Sequence, residues 1–247
     1  MNSHLKANIY ELSRENDAKD YMLESSEVVS YMLKQKKTNN IFTKELVSYN
    51  PILPAVGDKM EAIFDDVSHR LLVLYALPSG KPLEEDTYVS SGFGPRVHPL
   101  SNSFQFHDGI DIPVSIGDPV LSSTDGTVIF SGRKVGYGVT VKISHRFGFG
   151  TTYAHLDKTL VKRGDIVKKG QIIAEAGNSG ISTGAHLHHE ITYLGKPVNP
   201  YHFHNWNLAN FDTLFSKYKN IQWQQITEAL QTEAQAKAKL SSLKALN

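Results

Sequence analysis

Apolar residues at helical spacing dominate the first part of the chain. Between Asn8 and Lys34 they recur every three or four positions among charged residues, which predicts one long amphipathic helix. The same spacing predicts a second helix from about Asp58 to Leu77, and Pro78 ends the pattern. We expect both helices to be structural, packed on each other, on the rest of the chain or on a partner. The alternative is a pro-region or a lid.

Short β-rich runs separated by glycines replace this pattern from about Glu84 to Phe203. Regularly spaced short strands with turn signals are typical of an antiparallel β sandwich or barrel. After Trp206 the chain becomes helical again, with many Ala, Gln and Lys residues. The predicted strands include Thr127–Phe130, Val139–Ile143, Ile166–Val167, Ile172–Ala174 and His188–Ile191.

These patterns together predict a mainly β protein, an antiparallel β-sandwich or open barrel with flanking N- and C-terminal helices. The predicted boundaries are an N-terminal helical region at 1–83, a β domain at 84–205 and a C-terminal helical extension at 206–247. The length of 247 residues suits one such domain with appendages. A domain of roughly 100–150 residues can bury a sizeable core without disulfides.

The charges are balanced, with 26 Lys and Arg against 25 Asp and Glu and a formal net charge of +1. This balance argues against a nucleic-acid-binding surface. No apolar run approaches the ~20 residues that a membrane-spanning helix needs. The opening residues do not have the pattern of a signal peptide. The count of 0 cysteines suits either the cytosol or an oxidising compartment in which stray thiols are avoided.

Two histidines and an aspartate in the β region are candidate metal-binding residues. His186 and His188 are two residues apart in a predicted strand, so both imidazoles project from one face. Asp111 lies between Ile110 and Ile112, where a carboxylate is costly to bury unless a cation compensates its charge. For each pattern taken alone, a fortuitous pair of histidines or a turn with a capping aspartate is the alternative.

His107 and His155 complete the candidate set. Gly109 lies between His107 and Asp111 and permits a tight bend there. His155 lies in a β-like run, where a hydrogen-bonded core histidine is the ordinary interpretation. Two histidines and one aspartate would make a tetrahedral site with one open position, which is the arrangement of catalytic zinc. Two further histidines would then remain available for proton transfer.

Longer motifs carry a resemblance to a known family. In order along the chain, they are SGFGPRVHP at 91–99, HDGID at 107–111, DGTV at 125–128, YAHL at 153–156, VKKGQ at 167–171, GNSGISTGAHLH at 177–188 and VNP at 198–200. They occur in the family's order over about half of the chain. The segment resembles the lysostaphin-type zinc endopeptidases, also called LytM-domain peptidases.

The resemblance implies a role for each candidate residue. Ala185 and Asn178 depart from the residues usual in the family, but neither position is a ligand. His189 follows the last motif where an apolar or aromatic residue is usual, and strand alternation points it away from the metal, so no catalytic role is assigned to it. The implied zinc ligands are His107, Asp111 and His188, and the implied catalytic histidines, which orient water and stabilise the oxyanion, are His155 and His186.

The resemblance also implies a substrate and a location. Enzymes of this type cut peptide stems or cross-links of bacterial peptidoglycan. The helical extensions resemble those of membrane-anchored, cell-shape-determining endopeptidases of helical Gram-negative bacteria, which trim D-Ala–meso-diaminopimelate cross-links. We therefore expect a periplasmic Zn²⁺ endopeptidase that contributes to cell shape. An inner-membrane anchor is expected outside this chain, and a paralogous LytM-domain protein is a candidate partner.

Two other interpretations remain open. The segments DGTV at 125–128 and GDIVKKG at 164–170 resemble biotinyl and lipoyl carrier domains, but no lysine has the expected hairpin context and the histidines stay unexplained. The second is a latent or non-catalytic LytM domain that activates or scaffolds another cell-wall hydrolase. Retention of all the implied ligands argues against a degenerate domain, whereas a zinc-loaded enzyme occluded by the helices or a loop stays open.

Overall fold

The computed structural model describes residues 53–84, 88–97 and 103–244. The first predicted helix, Asn8–Lys34, lies outside the described residues. The second is confirmed, although it begins earlier than its apolar pattern indicates. Within the described ranges the α-helices are α1 (Leu53–Ala76), α2 (Pro200–His204), α3 (Thr213–Lys217) and α4 (Trp223–Lys244).

Two compact units divide the chain. One comprises the residues up to Val73 together with those from Gln222 onwards, and the other comprises Leu74–Ile221. Among the described residues, every strand belongs to the second unit. The predicted boundaries at 83/84 and 205/206 stay a prediction. None of the helices in the described ranges is long and apolar enough to cross a membrane.

Antiparallel pairing connects all the strands of the described chain. The largest sheet has the order β12-β11-β7-β6-β5-β9, with β3 also paired to β11, and smaller sheets have the orders β4-β10-β8 and β1-β2. The mainly β prediction is confirmed. The strands are β1 (Gly94–Val97), β2 (Phe104–His107), β3 (Ile110–Pro113), β4 (Pro119–Leu121), β5 (Gly126–Lys134), β6 (Gly138–His145), β7 (Phe149–Leu156), β8 (Lys158–Thr159), β9 (Ile166–Val167), β10 (Ile172–Glu175), β11 (His186–Tyr193) and β12 (Lys196–Val198).

The hydrophobic core lies on one face of β3 and β11. Ile110, Ile112 and Leu187 belong to a single cluster of buried apolar side chains, together with Tyr153 of β7. Because side chains alternate along a strand, residues next to these project from the opposite face. Core packing of Leu187 therefore fixes the position of the histidines on either side of it.

His145, at the end of β6, is a buried histidine outside the candidate site. Its Nδ1 donates to the Asp125 carbonyl oxygen at 2.9 Å, and its Nε2 accepts from the Thr151 hydroxyl at 2.7 Å. Burial lowers the pKa of His145 to about 4, although the Asp125 carbonyl opposes the shift. The imidazole is therefore neutral at pH 7, and its pKa is lower in the folded than in the unfolded chain.

We predict that His145 makes the fold sensitive to acid. The unfolded chain takes up this proton below the ordinary pKa of 6.5 and the folded chain only near 4, so stability is lost as pH falls through that interval. The loss due to His145 is about 2 kcal/mol at pH 5. Thermal unfolding of His145→Gln from pH 7.5 to 5 should show a smaller decline of Tm than the parent chain. An equal decline in both proteins would contradict this prediction.

Candidate metal centre

Strands β2, β3 and β11 bring the three predicted ligands together. His107 is the last residue of β2, and Asp111 of β3 pairs directly with His188 of β11. Asp111 Oδ1 is 3.1 Å from His107 Nε2 and 2.9 Å from His188 Nδ1, and the two ring nitrogens are 3.1 Å apart. All three side chains are buried, so their polar atoms converge away from bulk water.

Hydrogen bonds on the outer side of the cluster determine where the imidazoles carry their protons. His107 Nδ1 is 2.7 Å from the Gly92 carbonyl oxygen, which can only accept. His188 Nε2 is 3.1 Å from Glu190 Oε1. Both outer nitrogens therefore donate, and both inner nitrogens point at the Asp111 carboxylate. The carboxylate and the two ring nitrogens meet at one point, where a proton or a metal cation is needed between them.

The pKa values of the cluster reflect the same requirement. Burial lowers the pKa of His188, but hydrogen bonds to Asp111 and Glu190 outweigh this and raise the pKa to about 9. Burial raises the pKa of Asp111, yet hydrogen bonds from His107 and His188 hold it well below its usual range. Asp111 is therefore ionised at neutral pH, and a proton or a metal cation must balance its charge.

The spacing of the three atoms suits a small divalent cation. Ligands at zinc's usual bond lengths, in a tetrahedron, lie roughly 3.3 Å from one another. The three observed separations run from 2.9 to 3.1 Å. The outward N–H bonds also match the usual arrangement of metal-bound histidines, in which the second nitrogen donates to a carbonyl or carboxylate. The residues fit a metal site of the predicted composition.

Glu190 and Tyr137 extend this site beyond the residues predicted from sequence. The Tyr137 hydroxyl donates to Glu190 Oε1 at 2.7 Å, on the far side of Glu190 from His188. Burial raises the pKa of Glu190, but hydrogen bonds from His188 and Tyr137 lower it to about 2. Glu190 follows His188 by two residues and so shares its strand face, which is the sequence signal that identifies it.

His155 and His186 lie side by side next to this cluster. Their ring centroids are 4.7 Å apart, and the ring of His155 is 5.9 Å from that of His188. His155 Nδ1 donates to the Ser179 carbonyl oxygen and His186 Nδ1 donates to that of Gly184, both at 2.8 Å. Each Nε2 is therefore left as a proton acceptor, and that of His186 is 3.7 Å from Asp111 Oδ1.

An unusual backbone conformation brings His155 to this face. Ala154 pairs with His188, so strand alternation alone would place His155 on the core face with Tyr153. Instead His155 has a φ of 58°, in the left-handed region that non-glycine residues rarely adopt. Its backbone N–H donates to the Tyr137 carbonyl oxygen at 2.9 Å. Such conformations cost of order 1–3 kcal/mol and cluster at functional sites.

Gly109 and Arg96 complete the walls of the centre. A Cβ on Gly109 would lie 2.5 Å from the His189 carbonyl oxygen and 2.9 Å from Cε1 of His188, so close approach rather than a left-handed bend requires glycine here. Arg96 Nη1 is 3.2 Å from Asp111 Oδ2 and also contacts the Ser91 hydroxyl. Arg96 therefore holds the second carboxylate oxygen, and this contact favours a structural role over substrate positioning.

His189 lies on the opposite face of β11 from His188. Its Nδ1 is 2.8 Å from Nε2 of His204, and its ring packs beside that of Tyr153 with centroids 4.9 Å apart. The structure thus places it away from the candidate metal centre, as strand alternation predicts.

An open groove of about 720 Å³ gives access to the centre. Its walls include the three predicted ligands and both remaining histidines, with Arg96, Tyr137 and the 181–185 loop. The groove has the size of a site for a peptide or another small ligand. The five residues predicted from sequence therefore share one accessible site.

The model of peptidase family M23 matches residues 105–200, which contain all five of these residues. This stretch is therefore similar to M23 peptidase domains. Over 114 residues the chain is 46% identical to the DD-carboxypeptidase/endopeptidase Mpg of Neisseria meningitidis, a match that covers 46% of this chain and 26% of that protein. It is 41% identical over 119 residues to the peptidoglycan DD-endopeptidase ShyA of Vibrio cholerae, covering 48% of this chain and 28% of that protein.

The solved structures include a similar zinc-containing peptidase from Vibrio cholerae. It is 39% identical with a TM-score of 0.48, and the match covers 53% of this chain and 40% of that one. The chain spans only about a quarter of the length of the two curated relatives.

We predict that Glu190 tightens metal binding at this centre by orienting His188. Glu190→Gln preserves the shape of the side chain but removes its charge. Changes to a residue that hydrogen-bonds a metal ligand typically weaken metal affinity ~10–100-fold. Tyr137→Phe, which removes only the hydrogen bond to Glu190, should have a smaller effect. Competition with a chromophoric chelator measures both affinities. Parental affinity in Glu190→Gln would rule out this role.

Proposed function

We propose that this chain is a zinc-dependent endopeptidase that cleaves peptide cross-links of bacterial peptidoglycan. The observation that carries the proposal is the convergence of His107, Asp111 and His188 in a groove that also presents His155 and His186. The names of the relatives support the substrate class, since one is a DD-carboxypeptidase/endopeptidase and the other a peptidoglycan DD-endopeptidase.

The ligand set supports zinc as the metal. Two imidazoles and one carboxylate with an open fourth position form a common catalytic zinc site. Bound there, zinc would polarise the scissile carbonyl and make a water acidic near neutral pH. The contacts of Asp111 with Arg96 and of His188 with Glu190 would hold these two ligands in place. The choice of zinc over other divalent metals belongs to this proposal.

His155 and His186 would carry the protons of the reaction. Each has Nδ1 committed to a carbonyl oxygen, so each would act through Nε2. Burial lowers the pKa of His155, which keeps its imidazole neutral and able to accept a proton at pH 7. Once protonated, a histidine at this place can stabilise the oxyanion and deliver a proton to the leaving amine.

The more specific parts of the proposal concern the bond and its setting. We propose the D-Ala–meso-diaminopimelate bond as the one cleaved, with a contribution to cell shape in the periplasm and an inner-membrane anchor outside this chain. A paralogous LytM-domain protein is the proposed partner. The alternative, a latent or scaffolding domain, has less support, because both curated relatives are named as enzymes.

Removing a ligand should abolish both metal binding and cleavage. We expect His107→Ala and Asp111→Ala, purified like the parent chain, to lose stoichiometric zinc by elemental analysis and to leave cross-linked muropeptides uncut. His202→Ala is a matched control, because His202 contacts Tyr218 outside the groove and should keep both properties. A ligand variant that still cleaves at the parental rate would exclude this metal-dependent mechanism.

Removing His155 should separate metal binding from turnover. His155→Ala removes a proton-transfer group but no ligand, so we expect full zinc content and a kcat lower by ~10²–10⁴-fold. The measurement is kcat on purified cross-linked muropeptides alongside elemental analysis of the same preparation. Parental kcat in this variant would refute the catalytic role of His155.

A further inference from the structure

Lys134 and Lys142 place two positive charges close to the proposed metal centre. Lys142 of β6 pairs with Thr152 of β7, and Thr152 pairs with Glu190 of β11. Directly paired residues of an antiparallel sheet project from the same face. Lys142 therefore belongs to the same row as Glu190, on the face of β11 that carries His188.

Tyr137 connects the two lysines to the groove. Lys134 Nζ is 3.6 Å above the centroid of the Tyr137 ring, and Lys142 Nζ is 5.9 Å from the same centroid. Of these three residues only Tyr137 is among those that line the groove, and its ring centroid is 5.6 Å from that of His188. The Lys134 ammonium group therefore lies within about 9 Å of the centre of the His188 ring, a reach compatible with a carboxylate one residue from the scissile bond.

Neither lysine has an ion-pair partner among the residues that the structure describes. The nearby carboxylates are Asp108 and Glu190, which attract Lys134 from a distance, and Glu190 is already engaged by His188 and Tyr137. Burial and the charge of Lys142 lower the pKa of Lys134. Two like charges held side by side repel each other, and an anion bound next to both would relieve that repulsion.

We propose that Lys134 and Lys142 form a carboxylate-binding subsite that selects substrate peptides with a free carboxylate near the scissile bond. This inference rests on the proposed endopeptidase function. In a D-Ala–meso-diaminopimelate cross-link, the carbon attached to the scissile nitrogen carries such a carboxylate. The flexible lysine side chains can adjust their ammonium groups to it as point charges. A cross-link whose diaminopimelate is amidated lacks this charge and binds more weakly.

The test compares two cross-linked muropeptides that differ only in a diaminopimelate carboxylate or carboxamide. We expect the zinc-loaded full chain to cleave the carboxylate form with roughly tenfold higher kcat/KM, mainly through KM, as for one charged hydrogen bond. The preference should weaken as salt increases. Lys134→Gln/Lys142→Gln should cleave both forms about equally. The control Lys162→Gln/Lys196→Gln removes the same charge from exposed positions, unlike the two lysines over the Tyr137 ring, and should keep the preference.

The outcomes separate the subsite from the proposed function. Equal cleavage of the two forms by the parent chain, or an unchanged preference in Lys134→Gln/Lys142→Gln, overturns the subsite and leaves the endopeptidase proposal intact. If the parent chain cleaves neither form, the proposed function fails, and calorimetric titration with both muropeptides decides the subsite. Tighter binding of the carboxylate form that is lost in the double variant supports it, whereas equal binding by the parent chain overturns it.

Discussion

A carboxylate held between two imidazole nitrogens is the interaction on which the rest of this site depends. Asp111 lies on a strand whose neighbouring residues, Ile110 and Ile112, are buried in the core, so its charge cannot be left to bulk water. The carbonyl of Gly92 and the carboxylate of Glu190 direct the imidazole protons of His107 and His188 outward. The centre is thereby built to hold a positive charge, either a proton or a metal cation, and the outer hydrogen bonds aim the inner imidazole nitrogens at it.

Strand β11 holds the residues of this site in a fixed arrangement. Its alternation places His186, His188 and Glu190 on one face and Leu187 on the other, where Leu187 is fully buried in the core. Pairing with β3 sets Asp111 directly opposite His188. Since a change of register would move every side chain to the wrong face, core packing and site geometry are maintained by the same hydrogen bonds.

Tyr137 lies between the candidate metal centre and the lysines of the proposed carboxylate subsite. Its hydroxyl donates to Glu190, behind the candidate ligand His188, while its ring lies beneath the ammonium group of Lys134. Its backbone carbonyl accepts from the N–H of His155, the residue with the left-handed backbone. Tyr137, in the β5–β6 turn, thus contacts Glu190, His155 and Lys134.

Local sequence patterns determined the type of each element and the composition of the site. The glycine-punctuated runs are strands, the apolar pattern before Pro78 is α1, and the period-two spacing that pairs His186 with His188 also reaches Glu190. The motif order determined that His107, Asp111, His155, His186 and His188 belong together. The periodicity carries no information on which distant strands pair. It therefore could not show that Asp111 faces His188.

Only the tertiary structure decided the features that depend on backbone conformation or on register between strands. By alternation His155 belongs with Tyr153 in the core, and only its left-handed conformation turns it towards His186. Lys142 joins the row of Glu190 through two successive strand pairings. Such placements arise from long-range contacts, which no local period of hydrophobic and polar residues encodes.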